Sequence, residues 1–148
     1  MKKILFVCSF FILLPSSCKT ELIEYLEIPI NYRDEIKASL ISDKFIIYYH
    51  SGDCSICFGT LLEISEELPN LNIISITSSQ NRVLLEYQLE EIKFKGISLN
   101  DSDSLFYRQN QKILKKGNLF LVDSVYHILV LSAGFNKDFT ENIKKQLD

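Results

Sequence analysis

One stretch, residues 44–69, constrains what this 148-residue chain can fold into more than any other. Phe45-Ile46-Ile47-Tyr48-Tyr49 is a short run of β-branched and aromatic residues, the composition of a buried strand. His50-Ser51-Gly52-Asp53 supplies a turn, and Cys54-Ser55-Ile56-Cys57 follows at once. Phe58, Leu61, Leu62, Ile64 and Leu68 then recur at helical spacing until Pro69 ends the pattern. A strand, a turn, C-x-x-C and a helix put Cys54 in the first turn of that helix, where unpaired N–H groups and the helix dipole favour thiolate over thiol. Cys57 lies about one turn further on, within reach of a small disulfide ring. Three chemistries use such a pair: dithiol–disulfide exchange, a structural disulfide, or half of a zinc site. The zinc site would need His50 and His127 to complete a tetrahedron. A four-residue ring removes little chain entropy, which makes it a poor staple and favours exchange.

The other two cysteines have separate explanations. Met1-Lys2-Lys3 is a short basic start, Ile4 to Leu14 is uncharged and apolar, and Pro15-Ser16-Ser17 is small just before Cys18. This reads as a secretory signal peptide over residues 1–17, too short to span a membrane stably, and Cys8 leaves with it. The stretch Leu14 to Cys18 resembles the lipobox of bacterial lipoproteins, departing at Pro15 where an aliphatic residue is usual. That resemblance implies lipidation at Cys18, anchoring to a membrane, and a place in the cell envelope facing periplasm or exterior. Disulfides persist in such a compartment. The 16 basic residues are outnumbered by 19 acidic ones, and losing Lys2 and Lys3 widens the gap. With no basic stripe, nucleic acid is not an expected partner.

The remaining length suits one domain, expected over residues 31–148 behind a lipidated tether at 18–30. Leu22, Ile23, Leu26 and Ile28 could dock on it as a helix or edge strand. Asn31 is expected to cap a helix from Tyr32 to Ile41. After the central unit, Leu71 to Thr77 reads as a second strand, and Ser78-Ser79-Gln80 opens a helix through Lys93 with Val83, Leu84, Tyr87 and Ile92 inward. Gly96 to Leu99 is a brief strand, and Asp101 or Asp103 caps a helix carrying Leu105, Phe106, Ile113 and Leu114. Leu119 to Val122 and His127 to Leu131 are close enough for an antiparallel hairpin, and Asn136 to Leu147 is a last helix. Alternating units of this kind predict an α/β fold, a mixed central sheet with helices on both faces.

Two segments carry a resemblance at motif level: Tyr48 to Cys57, and Gly117-Asn118-Leu119-Phe120-Leu121-Val122-Asp123. Both are similar to thioredoxin-like proteins of the exported, membrane-tethered (TlpA-like) branch, and the pattern extends from about Tyr32 to Leu147. The resemblance implies a thioredoxin-like three-layer sandwich. It gives Cys54 the role of nucleophile on a substrate disulfide and Cys57 that of resolving thiol. It also implies that Gly117 and Asn118, where the family has a cis-proline, hold the substrate by strand-like pairing. The chain departs from the family at several points. No proline follows Pro69; Asp53 replaces the usual tryptophan, His50 an aromatic, Ser55-Ile56 the Gly-Pro between the cysteines, and Tyr48 a buried acid. A peptide bond lacking proline is expected to be trans. Asp53 opposes thiolate formation at Cys54, whereas a protonated His50 would favour it. A copper-chaperone relative of the fold pairs two cysteines with a distal histidine, as His127 would be, but spaces the cysteines one residue wider.

The expected activity is therefore membrane-anchored thiol–disulfide exchange with exported protein substrates through Cys54 and Cys57, needing no cofactor and no metal. The competing expectation is a non-catalytic lipoprotein of the same fold, serving as a binding or adaptor module.

Overall fold

A computed structural model describes residues 24–147 of the chain. The expected leader with Cys8, the expected lipidation residue Cys18, and Leu22 and Ile23 lie outside the described residues. The elements run α1 (Ile30–Ser39), β1 (Lys44–Ser51), α2 (Ser55–Glu67), β2 (Asn72–Ser78), α3 (Arg82–Glu91), β3 (Ile97–Asn100), α4 (Leu105–Leu114), β4 (Leu119–Asp123), β5 (Ile128–Ser132) and α5 (Lys137–Leu147). Five strands form one sheet in the order β3-β2-β1-β4-β5. The first three are mutually parallel; β4 runs antiparallel to β1, and β5 antiparallel to β4. This is the mixed, doubly covered sheet expected from the sequence.

The apolar strand β1 lies at the centre because both of its faces are buried. Phe45 and Ile47 join Ile74, Ile76, Phe120 and Val122 in a layer beneath α1 and α4. Ile46 and Tyr48 join Leu61, Ile64, Leu119, Leu121, Phe139 and Ile143 in a layer beneath α2 and α5. Three parallel strands in succession carry α2 and α3 across one face of the sheet, as right-handed crossovers require. Their N-terminal ends therefore meet at one end of the sheet, and that end carries the cysteines.

Three local expectations are corrected. The first helix begins before Asn31: Pro29 precedes it, where a missing N–H is harmless, and makes no side-chain cap. Asn81, and not the Ser78-Ser79-Gln80 stretch, caps α3 by accepting the Leu84 N–H at 3.1 Å. The stripe on α3 is also rotated. Leu85 is buried, whereas Val83 and Tyr87 are 77% and 62% exposed. The sequence offers apolar residues on too wide an arc to fix the phase. Leu85 is the buried residue of the helix, and Leu89 and the C-cap Ile92 further along pack against the layer beneath α2 and α5.

The segment ahead of α1 packs on the domain in extended form. Leu26 and Ile28 are 3% and 2% exposed. Asn110, buried in a kink of α4, accepts the Glu27 N–H at 2.8 Å and donates to the Glu27 carbonyl at 2.8 Å. Tyr25 bridges His127 at the start of β5. Among the described residues no helix is long and apolar enough to cross a membrane.

Candidate redox site

The site forms where β1 ends. Gly52 lies so close to the β2–α3 connection that a Cβ there would overlap the Cβ of Ser79, and its N–H donates to the Ser78 carbonyl at 3.0 Å. The neighbouring turns are thereby pinned together, and Asp53 is left exposed on the outside. Cys54 follows in extended conformation as the N-cap of α2. Its Sγ accepts the Cys57 N–H at 3.2 Å, and its carbonyl accepts the same N–H at 3.0 Å. The sulfur thus takes the place that a serine or aspartate oxygen holds in an ordinary cap. Cys54 and Cys57 are joined as a disulfide, with Cα atoms 5.2 Å apart. Both residues are half-buried, and Ile56 between them is 80% exposed. The bond is reachable from solvent at a helix N-terminus, where the peptide dipoles stabilise a sulfur anion released on reduction.

Beneath the disulfide the chemistry is neutral. His50 is 3% exposed. Its Nδ1 stands 3.1 Å from the Ser51 carbonyl and its Nε2 2.8 Å from Ser75 Oγ. A carbonyl only accepts, so Nδ1 carries the proton and Nε2 accepts the Ser75 hydroxyl. Ser75 Oγ in turn lies 3.3 Å from Thr77 Oγ1. The imidazole stacks on Tyr48 with centroids 4.8 Å apart and meets Phe58 edge-on at 5.3 Å. Burial holds its pKa below the ordinary histidine value, despite the bond to Ser51. The neutral ring therefore offers Cys54 none of the charge that a protonated His50 would have supplied.

The sequence signals for this network were Ser75 and Thr77, two polar residues inside an otherwise apolar strand. In a strand buried on both faces such groups need partners, and His50 on the neighbouring strand provides one. Burial likewise raises the Tyr48 phenol, so the residue at the family's acid position is uncharged.

Gly117 and Asn118 reach the same end of the sheet. Asn118 faces Tyr49: its carbonyl accepts the Tyr49 N–H at 2.9 Å, and its Nδ2 donates to the Tyr49 carbonyl at 3.0 Å. Its N–H donates to the Ser132 carbonyl at 3.1 Å. Gly117 is buried, with Ser132 so near that a Cβ would overlap its carbonyl. That close approach is the reason a glycine fits at this position. No cis peptide bond occurs among the described residues.

His127 stands away from the cysteines, where β5 begins. Its Nδ1 meets Asp123 Oδ2 at 2.9 Å, and Asp123 Oδ1 accepts the N–H groups of Val125 and His127 at 3.0 and 2.9 Å. It closes the hairpin turn. Among the described residues no group of three or more side chains is arranged to hold a metal ion.

No family model matches the sequence, and no curated protein matches it. Solved structures do. A secreted disulfide oxidoreductase of Mycobacterium tuberculosis is 13% identical with a TM-score of 0.54, over 73% of this chain and 85% of that one. The thioredoxin domain of a thiol-disulfide oxidoreductase from Bacteroides vulgatus is 16% identical with a TM-score of 0.57, over 72% and 80%. StoA from Bacillus subtilis is 14% identical with a TM-score of 0.51, over 75% and 87%. At such identities the likeness speaks for the fold. The chain is a thioredoxin-fold protein.

Proposed function

We propose that the protein is a thiol–disulfide oxidoreductase, anchored to the cell-envelope membrane by lipid at Cys18 and acting on disulfides of exported proteins. The observation that carries this reading is the Cys54–Cys57 disulfide at the cap of α2, half-exposed beside an outward Ile56. Names of the structural neighbours support it, since they include disulfide oxidoreductases and one is described as secreted.

In the dithiol form, the Cys54 thiolate attacks one sulfur of a substrate disulfide. A Cys54–substrate disulfide forms, and the other substrate sulfur leaves as thiolate. Cys57 then attacks Cys54 Sγ, restores the Cys54–Cys57 bond and frees the second substrate thiol. Two electrons and two protons pass from protein to substrate. The same exchanges run backwards when the disulfide form meets a substrate dithiol. The Asn118 N–H and carbonyl are engaged in the sheet and the buried Gly117 donates its N–H to the Ile113 carbonyl, so in this reading both residues brace the loop on the substrate side of the disulfide.

Reduction of insulin by dithiothreitol tests the proposal. Wild type is expected to accelerate it, and Cys54→Ser to run at background. Equal rates for the two proteins would refute it.

A further inference from the structure

His50 touches both flanks of the C-x-x-C. On one side its Nδ1–H holds the carbonyl of Ser51, the residue that opens the turn into Cys54. On the other its ring abuts Phe58, the buried residue directly after Cys57. The ring itself is fixed by Ser75 at Nε2 and by Tyr48 along its face. Tyr48 is the one titratable neighbour in these contacts, and its burial keeps it neutral; β2 presents Ser75 and Thr77, and α2 presents Phe58. A buried, hydrogen-bonded ring bridging the entry and exit of a four-residue loop limits how far its two sulfurs can separate.

We propose that His50 is the positioning residue of the redox site: it raises the effective concentration of one cysteine thiol against the other and so stabilises the Cys54–Cys57 disulfide relative to the dithiol. This deepens the redox reading and rests on it. The reaction that measures it is balanced. Two glutathione thiols pass two electrons and two protons to the Cys54–Cys57 bond, leaving glutathione disulfide and two protein thiols. Closing the ring again depends on how often the two sulfurs meet.

The bond to Ser51 carries the clamp, the contacts with Phe58 and Ser75 only seating the ring, and chemistry separates that bond from the one to Ser75. Asparagine carries its amide nitrogen about where Nδ1 stands, whereas glutamine reaches the Nε2 position. His50→Asn therefore keeps a donor for Ser51, and His50→Gln keeps a partner for Ser75 only. The test is the equilibrium constant of the folded protein with glutathione, read for wild type, His50→Phe, His50→Asn, His50→Gln and Ser75→Ala. His50→Phe and His50→Gln are expected to lower disulfide stability at least about tenfold, which is about 30 mV for a two-electron couple. His50→Asn and Ser75→Ala are expected to stay within about threefold of wild type, about 14 mV on the same scale. Constants within threefold for all the variants, or recovery by glutamine as complete as by asparagine, would overturn the proposal. The asparagine–glutamine pair decides even where His50→Phe does not fold. Because the constant needs no protein substrate, failure here is distinguishable from failure of insulin turnover.

Discussion

The two ends of the sheet each carry a histidine, and the molecule uses them in opposite ways. At the cysteine end His50 is buried, uncharged and hydrogen-bonded to neutral groups on two strands. At the hairpin end His127 is part-exposed and paired with a carboxylate in a turn. Neutral hydrogen bonds inside an apolar layer cost much to break, because each lost partner leaves a desolvated group. A part-exposed pair is screened by water and contributes little. The cysteine end is therefore held in shape by packing, and the hairpin end by local turn bonds that the rest of the fold scarcely needs.

Substitutions ordered by expected effect sharpen that contrast. Phe58→Ala, beneath the disulfide, should cost about 3–5 kcal/mol in denaturant unfolding, because a 4% exposed aromatic ring leaves a cavity. A loss under about 1 kcal/mol would mean that packing does not hold this end. Asn110→Ala should cost about 1–3 kcal/mol by stranding the Glu27 N–H and carbonyl. It should also expose residues 24–29 to proteolysis while the disulfide stays intact.

Acid separates the two histidine ends. The His50 pKa is lowered in the fold, so the unfolded chain binds more protons. Stability should then decline as pH falls from about 6.5, the unfolded value, through the lowered folded value. His50→Asn should flatten that part of the curve. Asp123 behaves otherwise. Burial pushes its carboxyl up, but bonds from the His127 N–H, the His127 ring and the Val125 N–H, with the imidazole's charge, outweigh it and hold the pKa below the usual value. Its contribution is present above about 3.9 and lost as pH falls through the folded value, so Asp123→Asn should alter only the more acid part. A His50→Asn curve parallel to wild type between pH 7 and 5 would remove the distinction. Smallest of all, Arg82→Ala breaks an exposed pair with Glu86 on α3 and should change stability by less than about 0.5 kcal/mol in the same unfolding assay.

The sequence disclosed the sheet and the cysteine pair because those rest on strong local signals: an apolar run, a turn, a C-x-x-C and a helical stripe ended by proline. It was weaker where partners come from distant segments. Asp101 was legible as a cap, yet it acts from outside the N-cap position, accepting the Phe106 and Tyr107 N–H groups at 2.8 and 3.0 Å. Ser104 fills the N-cap position in a left-handed conformation with no side-chain bond. Asp101 also adds to the effect of burial in raising the Tyr32 phenol to about 12, a pairing across 69 residues that no local pattern signals. The state of His50 depended on Ser75, Thr77 and Phe58, three residues from two other elements. The turn of α3 was ambiguous because six apolar residues from Val83 to Ile92 cover most of its circumference.

The measurement closest to the central claim is capture of the exchange intermediate. Cys57→Ser keeps the proposed nucleophile and removes the thiol that would release it. Incubated with a protein substrate that carries a disulfide, such as insulin, this variant should accumulate a covalent complex through Cys54, the other substrate sulfur leaving as thiolate; dithiothreitol should dissolve it, and the double variant Cys54→Ser/Cys57→Ser should never form it. Absence of that complex, with Cys54 shown to be a free thiol, would contradict the account.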